Sequence, residues 1–506
     1  MRHLRCLCII RPSPSSIQHL VEELRDPKYG EYHLYFTNVA KKTYLERLAE
    51  ADDYEIVKTV KEHFADFIVI NRDLFSLGVA LPKWHLRAAG PDIWNSDALQ
   101  RCTEGLIAIL LSLKKRPFVR YWRSSAMAKR LASEVDLTMA REEALFDFRK
   151  VDTPPVLLIL DRREDPITPL LTQWTYQAMV HHLLGIHTGR VNLNDVPDIR
   201  PDLREIVLLE EQDAFFKKSM YLNFGELGRT IKEYVDQYQS KTTTTANIES
   251  ISDMKRFIEE YPEFRKLSGN VSKHVTLVSE LSRRVTAENL LEVSEVEQSL
   301  VCNDNHTSDL KRVQTLIQTP SVGVDAKVGL VTLYALRYHK HPSNALAMLI
   351  ALLSSADGVG ARMAEIPNSV LAYHLSTQTT QSQGGLSDLF ESAGIFSGAS
   401  NRFKGLKGVE NVYTQHVALL ENTLQNLIKG RLKEQQYPFV EGRSTKDKPQ
   451  DIIVFMIGGA TYEEARVVAG INASTPGVRV VLGGTSMHNA KSFLEEVADL
   501  SNSYAL

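Results

Sequence analysis

Cysteine is scarce in this chain, which has only four among its 506 residues: Cys6, Cys8, Cys102 and Cys302. Cys6 and Cys8 alternate along an apparent strand, and the other two stand far apart. This spacing is typical of neither a disulfide framework nor a zinc site. The sequence therefore predicts a protein of a reducing compartment such as the cytosol.

The chain also lacks a strong charge of one sign and a long apolar run. The formal net charge of -3 provides no basic field for a nucleic acid. The longest apolar stretch, 345–353, is about half of the ~20 residues that a membrane-spanning helix needs. Residues 1–10 lack the charged, apolar and small-residue order of a secretory signal. We therefore predict a cytoplasmic protein that reaches a membrane only through a partner.

Short apolar runs rich in Val and Ile predict buried strands of a parallel sheet. Four of them lie at 156–160, 206–209, 452–457 and 478–482. Between the second and the third, the tract 224–347 contains no strand-like run. This order predicts one α/β sheet interrupted by a helical insertion, an arrangement that favours a binding scaffold over an enzyme.

The region before about residue 121 also alternates strands and helices. Its predicted strands lie at 4–10, 32–36, 67–70 and 118–122. This rhythm indicates βαβ units around a second parallel sheet. The length of the chain allows roughly three domains of ~150 residues each.

An acidic cluster follows the predicted strand 156–160. Asp161, Glu164 and Asp165 stand where α/β enzymes place catalytic carboxylates or metal ligands. The alternative is turn chemistry, because Asp165 precedes Pro166 and the two arginines between the acids can neutralise them.

Paired glycines follow the last two predicted strands, at 458–459 and 483–484. Such turns let backbone amides approach a phosphate. Neither turn has the third glycine of a dinucleotide fingerprint or the Lys-Ser/Thr of a P-loop, and tight turns use glycine without any ligand. The second turn resembles a nucleophile elbow, but His488 occupies the place of the second glycine.

The helical tract carries an apolar seam with alternating steps of three and four and one polar break. Its members are Phe264, Leu267, Val271, His274, Val278, Leu281 and Val285. The seam predicts a coiled-coil surface over three heptads, and the alternative is a helix packed within its own domain. Pro262 is predicted to kink or break this helix, and the polar run 239–245 is predicted to be a flexible loop.

Several motifs in order resemble the Sec/Munc, or SM, family of vesicle-fusion regulators. They are LDRREDPITPLL at 160–171, TYQAM at 175–179, YALRY at 334–338 and IGGATYEE at 457–464. RHLRCL at 2–7, YGEY at 29–32 and LERLAE at 45–50 most resemble its vacuolar-protein-sorting branch, which serves the trans-Golgi network and endosomes.

The resemblance implies an α/β multidomain arch, in which two parallel-sheet domains carry a largely helical domain inserted in the second. The implied bounds are 1–121 for domain 1, 122–221 and 412–506 for domain 2, and 222–411 for domain 3. It implies a monomer without enzymatic activity, cofactor or metal, which binds a syntaxin-type SNARE and the assembling SNARE complex.

The resemblance also implies two binding surfaces. A pocket for the N-terminal peptide of the syntaxin maps to Leu45, Ile68 and Ile70, for which simple core packing is the alternative. A helical hairpin that supports SNARE helices maps to Pro262, Phe264, Leu267 and Val271.

Family members carry about two further secondary-structure units before the segment that begins here at Met1. We therefore expect an exposed edge on the first sheet and an altered inner cleft in domain 1. Two other functions remain open at this point: an α/β enzyme acting on a nucleotide or phosphate, and a tethering or adaptor subunit that uses the helical tract without SNAREs.

Overall fold

The computed structural model describes residues 1, 3–88, 90–149, 151–246, 251–377, 413–440, 445 and 447–503. For 237–246, 251–268 and 501–503 it describes the backbone alone. None of the described helices is both long and apolar enough to cross a lipid bilayer.

A small parallel sheet begins the chain. Its strands are β1 (Arg5–Ile10), β2 (Glu31–Phe36) and β3 (Val57–Glu62), in that spatial order. Helices α1 (Pro14–Arg25) and α2 (Lys42–Ala51) contribute to a single hydrophobic cluster with the alternate residues of β2. The opposite face of the edge strand β1 leaves Leu7 and Ile9 exposed.

The main sheet has six strands in the spatial order β4-β5-β11-β10-β7-β6. They are β4 (Ile68–Asn71), β5 (Leu74–Ser76), β6 (Phe118–Tyr121), β7 (Val156–Asp161), β10 (Asp451–Ile457) and β11 (Arg479–Gly484). All pairs are parallel except β4 with β5. The predicted split sheet is present, because β7 pairs directly with β10 across the insertion.

Helices cover both faces of this sheet, which explains why β7 is buried along its whole length. Helices α3 (Ser96–Leu113) and α4 (Ala126–Arg141) pack on the face of Leu157 and Ile159. The opposite face, with Leu158 and Leu160, packs against the first helix after the insertion and the helix between β10 and β11.

Two predictions about which sheet a strand joins are wrong, although the strands themselves are present. The strands predicted at 67–70 and 118–122 belong to the main sheet, so the boundary between the sheets lies between Glu62 and Ile68 rather than near residue 121. The run 206–209 forms β9 (Glu205–Val207), which pairs only with β8 (Arg190–Asn192) in a separate antiparallel ribbon. The physical reason is exposure, because only Ile206 of β9 is buried, whereas the central strand β7 is buried at every residue.

The insertion is helical throughout its described part, as predicted. Helices α5 (Tyr176–Leu183) and α6 (Ala214–Ser219) precede it. Its helices are α7 (Phe224–Ala246), α8 (Ile251–Ala287), α9 (Leu290–Cys302), α10 (His306–Gln318), α11 (Val324–Tyr338), α12 (Leu346–Ser354), α13 (Ala361–Ala364) and α14 (Ile366–Leu375). Helix α11 is buried at the centre of the cluster that most of these helices form. After the insertion come α15 (Leu419–Ile428), α16 (Tyr462–Ser474) and α17 (Ala490–Ser503).

The loop expected at 239–245 is wrong, and of the kink or break expected at Pro262 the break is absent. Helix α8 continues through Pro262, and α7 includes all of 239–245. An interior proline costs a helix ~3 kcal/mol, but packing of its other turns can compensate. Here α8 packs beside α7 and its last four turns are anchored in a hydrophobic cluster.

Candidate functional site

The acidic cluster at the end of β7 is buried and neutralised. Asp161 accepts hydrogen bonds from Arg163 Nε at 3.0 Å and from Ser125 Oγ at 2.7 Å. Burial alone would raise the pKa of Asp161, but Arg163 and Arg87 outweigh it and hold that pKa at about 2. Arg163 reaches on to Asp92 Oδ1, at 2.6 Å. These acidic and basic groups therefore form ion pairs with one another inside the protein.

Asp165 organises the turn that follows. It accepts hydrogen bonds from the backbone N–H groups of Ile167 and Thr168, at 3.2 and 3.0 Å, and from the Thr168 hydroxyl at 2.5 Å. Glu164 accepts a short hydrogen bond from Tyr437, and burial raises the pKa of Glu164 to about 8. The geometry therefore supports the alternative, in which these acidic residues stabilise a turn and do not form a catalytic site.

Arg162 joins this turn to the glycine turn after β10. Its Nε and Nη2 donate to the carbonyl oxygen of Gly459, at 3.1 and 2.9 Å. Its Nη2 also lies 2.8 and 2.6 Å from the two carboxylate oxygens of Glu464. Glu464 completes a capping box with Thr461 at the start of α16. Two of the motifs on which the resemblance rests are therefore parts of one buried structure.

The glycine turns are filled by protein side chains rather than open to a phosphate. Gly458 and Gly459 have φ values of 82° and 85°. A Cβ added at Gly459 would lie 2.2 Å from His488, and one at Gly483 would lie 1.9 Å from the ring of Phe75. These positions need glycine for conformation and close packing. Within the described ranges, no three His, Cys, Asp or Glu side chains are placed to hold one metal ion.

Arg87 and Tyr373 connect the insertion to the main sheet, and the sequence analysis did not identify either. The Arg87 guanidinium lies 5.0 Å from the ring centroid of Tyr373 on α14, and its Nη2 is 3.7 Å from Asp161 Oδ1. Both side chains are buried. Their partners are distant in sequence, so no local pattern could have indicated this contact.

The three residues predicted for a peptide pocket lie on two different sheets. Leu45 is on α2 and is 37% exposed, on a helix whose buried face carries Leu48 and Ala51. Ile68, which is 38% exposed, and the half-buried Ile70 lie on the edge strand β4 of the main sheet. Complete core packing is therefore wrong as an explanation for Leu45 and Ile68. Neither the hydrophobic cluster beneath α2 nor the one beside β4 contains all three residues.

The predicted hairpin surface lies on α8. The side chains of Pro262, Phe264 and Leu267 fall outside the described residues, and Val271 is only 7% exposed. Val271 therefore does not present its side chain to a partner in this conformation.

The rest of the seam packs within the protein, so the alternative interpretation holds for its last four turns. Leu281 and Val285 are buried in a cluster with residues of α5 and α6, and Val278 packs against it. The polar break, His274, is fully buried between Tyr176 Oη, at 2.8 Å from Nδ1, and Asp213 Oδ2, at 2.8 Å from Nε2. This residue anchors α8 to α5 and to the start of α6.

Comparison with known proteins decides the family. Residues 1–496 match the sequence profile of the Sec1 family. The chain belongs to the Sec1 family. The family predicted from the motifs is therefore confirmed.

Relatives of this Sec1-family protein are similar over nearly its whole length. Vacuolar protein sorting-associated protein 45 of Mus musculus is 50% identical over 502 residues, which cover 98% of this chain and 85% of the mouse protein. The protein of the same name from Schizosaccharomyces pombe is 48% identical over 507 residues, covering 99% and 88%. These names also agree with the predicted vacuolar-protein-sorting branch.

Solved structures of related proteins have the same fold. One described as SM protein Vps45 in complex with Qa SNARE Tlg2 (1–310) gives a TM-score of 0.91 at 65% identity, covering 100% of this chain and 87% of the other. The Unc18–syntaxin 1 complex from Monosiga brevicollis gives a TM-score of 0.75 at 19% identity, covering 98% and 88%, and supports the fold alone. The α/β multidomain fold implied by the resemblance is confirmed.

Proposed function

We propose that this protein binds a syntaxin-type SNARE and promotes SNARE complex assembly in transport between endosomes, the trans-Golgi network and the vacuole or lysosome. The observation that carries this proposal is the similarity, at 65% identity over the whole of this chain and 87% of the other, to a Vps45 solved with the Qa SNARE Tlg2. The protein acts as a binding scaffold and associates with Golgi and endosomal membranes through SNAREs. The filled glycine turns and the neutralised acidic cluster support a scaffold over an enzyme.

The first proposed surface receives the N-terminal peptide of the SNARE. Leu45 and Ile68 support it because each leaves more than a third of its area exposed on its own element. An aliphatic side chain in this position can contact a peptide without prior rearrangement of the core. Ile70 is half-buried on the same strand as Ile68, so in this proposal it contacts the peptide beside Ile68.

The second proposed surface is the α7–α8 hairpin. Helix α8 extends 20 residues before Val271, which is about 30 Å at roughly 1.5 Å per residue. His274, Leu281 and Val285 fix its C-terminal part to the protein body, so this upstream arm is the part left to support SNARE helices. Pro262, Phe264 and Leu267 belong to the arm. Val271 lies where this arm meets the protein body.

The test is binding of a purified Qa SNARE cytosolic region, with and without its N-terminal peptide, to the full chain. We expect binding by isothermal titration calorimetry, with lower affinity once the peptide is removed. A liposome fusion assay with the cognate SNAREs should show faster fusion when the protein is present. Absence of binding to every Qa SNARE of the same organism would refute the proposal.

A further inference from the structure

Two cysteine side chains of β1 lie side by side on the same face of the small sheet. Successive strand residues point to opposite faces, so Cys6 and Cys8 share a face while Leu7 points away. Their sulfur atoms are 3.5 Å apart. Both are half-buried against the cluster formed with α1 and α2. The other two cysteines lie elsewhere, Cys102 in α3 and Cys302 in α9.

A bond between these sulfurs requires β1 to bend. Residues i and i+2 of a regular strand have Cα atoms roughly 6.6 Å apart, near the upper end of the about 4.4 to 6.8 Å that disulfides span. Their Cβ atoms lie about as far apart, whereas a disulfide needs about 3.5 to 4.5 Å between them. Bond formation needs the sulfurs to approach to about 2.05 Å, a movement of about 1.5 Å. Among the described strands β1 pairs only with β2, so a local change in β1 disturbs one ladder.

We propose that Cys6 and Cys8 form a redox-active dithiol that a peroxide converts into a reversible intrastrand disulfide. In the first step, the Cys6 thiolate attacks the peroxide oxygen, giving a sulfenic acid and, from hydrogen peroxide, hydroxide. In the second step the Cys8 sulfur attacks the Cys6 sulfur. The S–O bond breaks, the Cys8 proton leaves with the hydroxyl group as water, and the S–S bond forms. The two thiols lose two electrons, which the peroxide accepts.

The order of the two steps follows from the surroundings of Cys8. Burial, together with Cys6 and Glu23, raises the pKa of the Cys8 thiol to about 12. Because the thiolate is the form that attacks a peroxide, this shift disfavours Cys8 as the first nucleophile. Cys8 is instead placed within 3.5 Å of the sulfur that is oxidised first.

The bond would bend β1 and weaken its pairing with β2. The bend would disturb the hydrogen bonds between β1 and β2. This ladder runs from the pair Arg5–Glu31 to the pair Ile10–Phe36. Since α2 packs in the same cluster as Cys6 and Cys8, the small sheet and its helices form the region that responds to oxidation.

The full chain treated with hydrogen peroxide provides the test. Trypsin releases Cys6 and Cys8 in one peptide, 6–25, because Pro12 protects the bond after Arg11. We expect this peptide to lose about 2 Da, the mass of two hydrogens, and to regain it with dithiothreitol. Hydrogen exchange should increase at β1 and β2 in the oxidised protein.

Matched variants distinguish a pair from two independent thiols. Cys6→Ser and Cys8→Ser should each abolish the mass loss, while the double variant Cys102→Ser/Cys302→Ser should retain it. Phenylarsine oxide, which needs two adjacent thiols, should bind one equivalent to the untreated chain and none to either single variant. Separate sulfinic acids at Cys6 and Cys8, or a disulfide to Cys102, to Cys302 or to a second chain, would overturn the proposal. Arsenical binding without disulfide formation would overturn the redox step.

Discussion

Arg162 and Glu464 form a fully buried ion pair although they stand 302 positions apart in sequence, with Arg162 Nη2 2.6 Å from Glu464 Oε2. Arg162 begins the turn after β7, and Glu464 caps α16 after β10. Because β7 and β10 are neighbours in the main sheet, the pair joins the two chain segments that flank the helical insertion. The contact explains why charged residues of two separate motifs occur beside buried strands.

Glu464→Ala should destabilise the protein by about 3 to 5 kcal/mol. The substitution leaves the Arg162 charge buried without its partner and removes the Glu464 half of the capping box. Urea unfolding followed by circular dichroism measures the loss. The matched control is Glu463→Ala, which removes a pair with the half-exposed Arg466 and should cost about 0 to 1 kcal/mol. Equal losses in the two variants would contradict the assigned role of Glu464.

Leu45→Arg should weaken binding of the syntaxin N-terminal peptide by ~2 to 4 kcal/mol, because it places a charge where an aliphatic side chain docks. Titration calorimetry with the isolated peptide is the measurement. Leu137→Arg is the control, since Leu137 is also an exposed leucine on a helix, α4, and lies outside the proposed surface. Unchanged affinity in a folded Leu45→Arg variant would remove this residue from the site.

Glu297 should make stability fall as pH rises. It is buried on α9 and accepts hydrogen bonds from Thr172 N at 2.8 Å and Thr172 Oγ1 at 3.1 Å, and burial raises its pKa from 4.5 to about 7. A carboxyl group with a raised pKa binds its proton more tightly in the folded state. Its contribution to stability is therefore complete below about pH 4.5 and is lost as pH rises through about 7.

Glu297→Gln tests this dependence because the amide keeps the shape and cannot ionise. Between pH 4.5 and 7, the unfolding free energy of the variant should increase relative to that of the wild type. Denaturant unfolding at a series of pH values measures it. Glu295→Gln, on the same helix but paired with Arg312 at the surface, is the matched control for replacing a carboxylate of α9 by an amide. A flat difference for Glu297→Gln would show that this carboxyl does not titrate in that range.

Pro262→Ala should tighten binding of the vesicle SNARE and speed SNARE assembly. The change restores a backbone donor and removes the ring clash inside α8, which should stabilise the helical arm by up to ~3 kcal/mol. Single-molecule unzipping of the SNARE complex measures the rate. Gly269→Ala is an informative companion, because nothing lies within 4 Å of the added Cβ and alanine favours a helix by ~1 kcal/mol.

If stiffness of the arm controls assembly, both variants should act in the same direction, with the smaller effect at Gly269. Wild-type rates in Pro262→Ala would place the supporting surface elsewhere. An effect confined to Pro262→Ala would indicate a local contact of residue 262 rather than the stability of the helix.

The candidate binding surfaces were only partly predictable. The family resemblance implied Leu45, and the exposure of this residue on α2 agrees with a surface role. The exposure of Ile68 was not predictable, because an apolar strand residue is usually buried and only the position of β4 at the sheet edge leaves this one open. Over its described residues, from Val271 to Val285, the seam on α8 is buried or packed as an apolar helix face should be, but periodicity does not reveal whether such a face meets another protein or the same chain. The burial of His274 against Asp213 and Tyr176 decided this for the last four turns.

Elements whose burial is continuous or periodic could be predicted from the pattern of residues alone. The strands β7, β10 and β11 follow from runs of Val, Ile and Leu buried on both faces, and the absence of such runs predicted the helical insertion. The choice of neighbour for each element depends instead on long-range contacts in the folded protein. β5 has three residues and takes its place beside β11 through pairs such as Leu74 with Leu482. Local periodicity reports how deeply a segment is buried, whereas the identity of its partner depends on contacts between residues far apart in the chain.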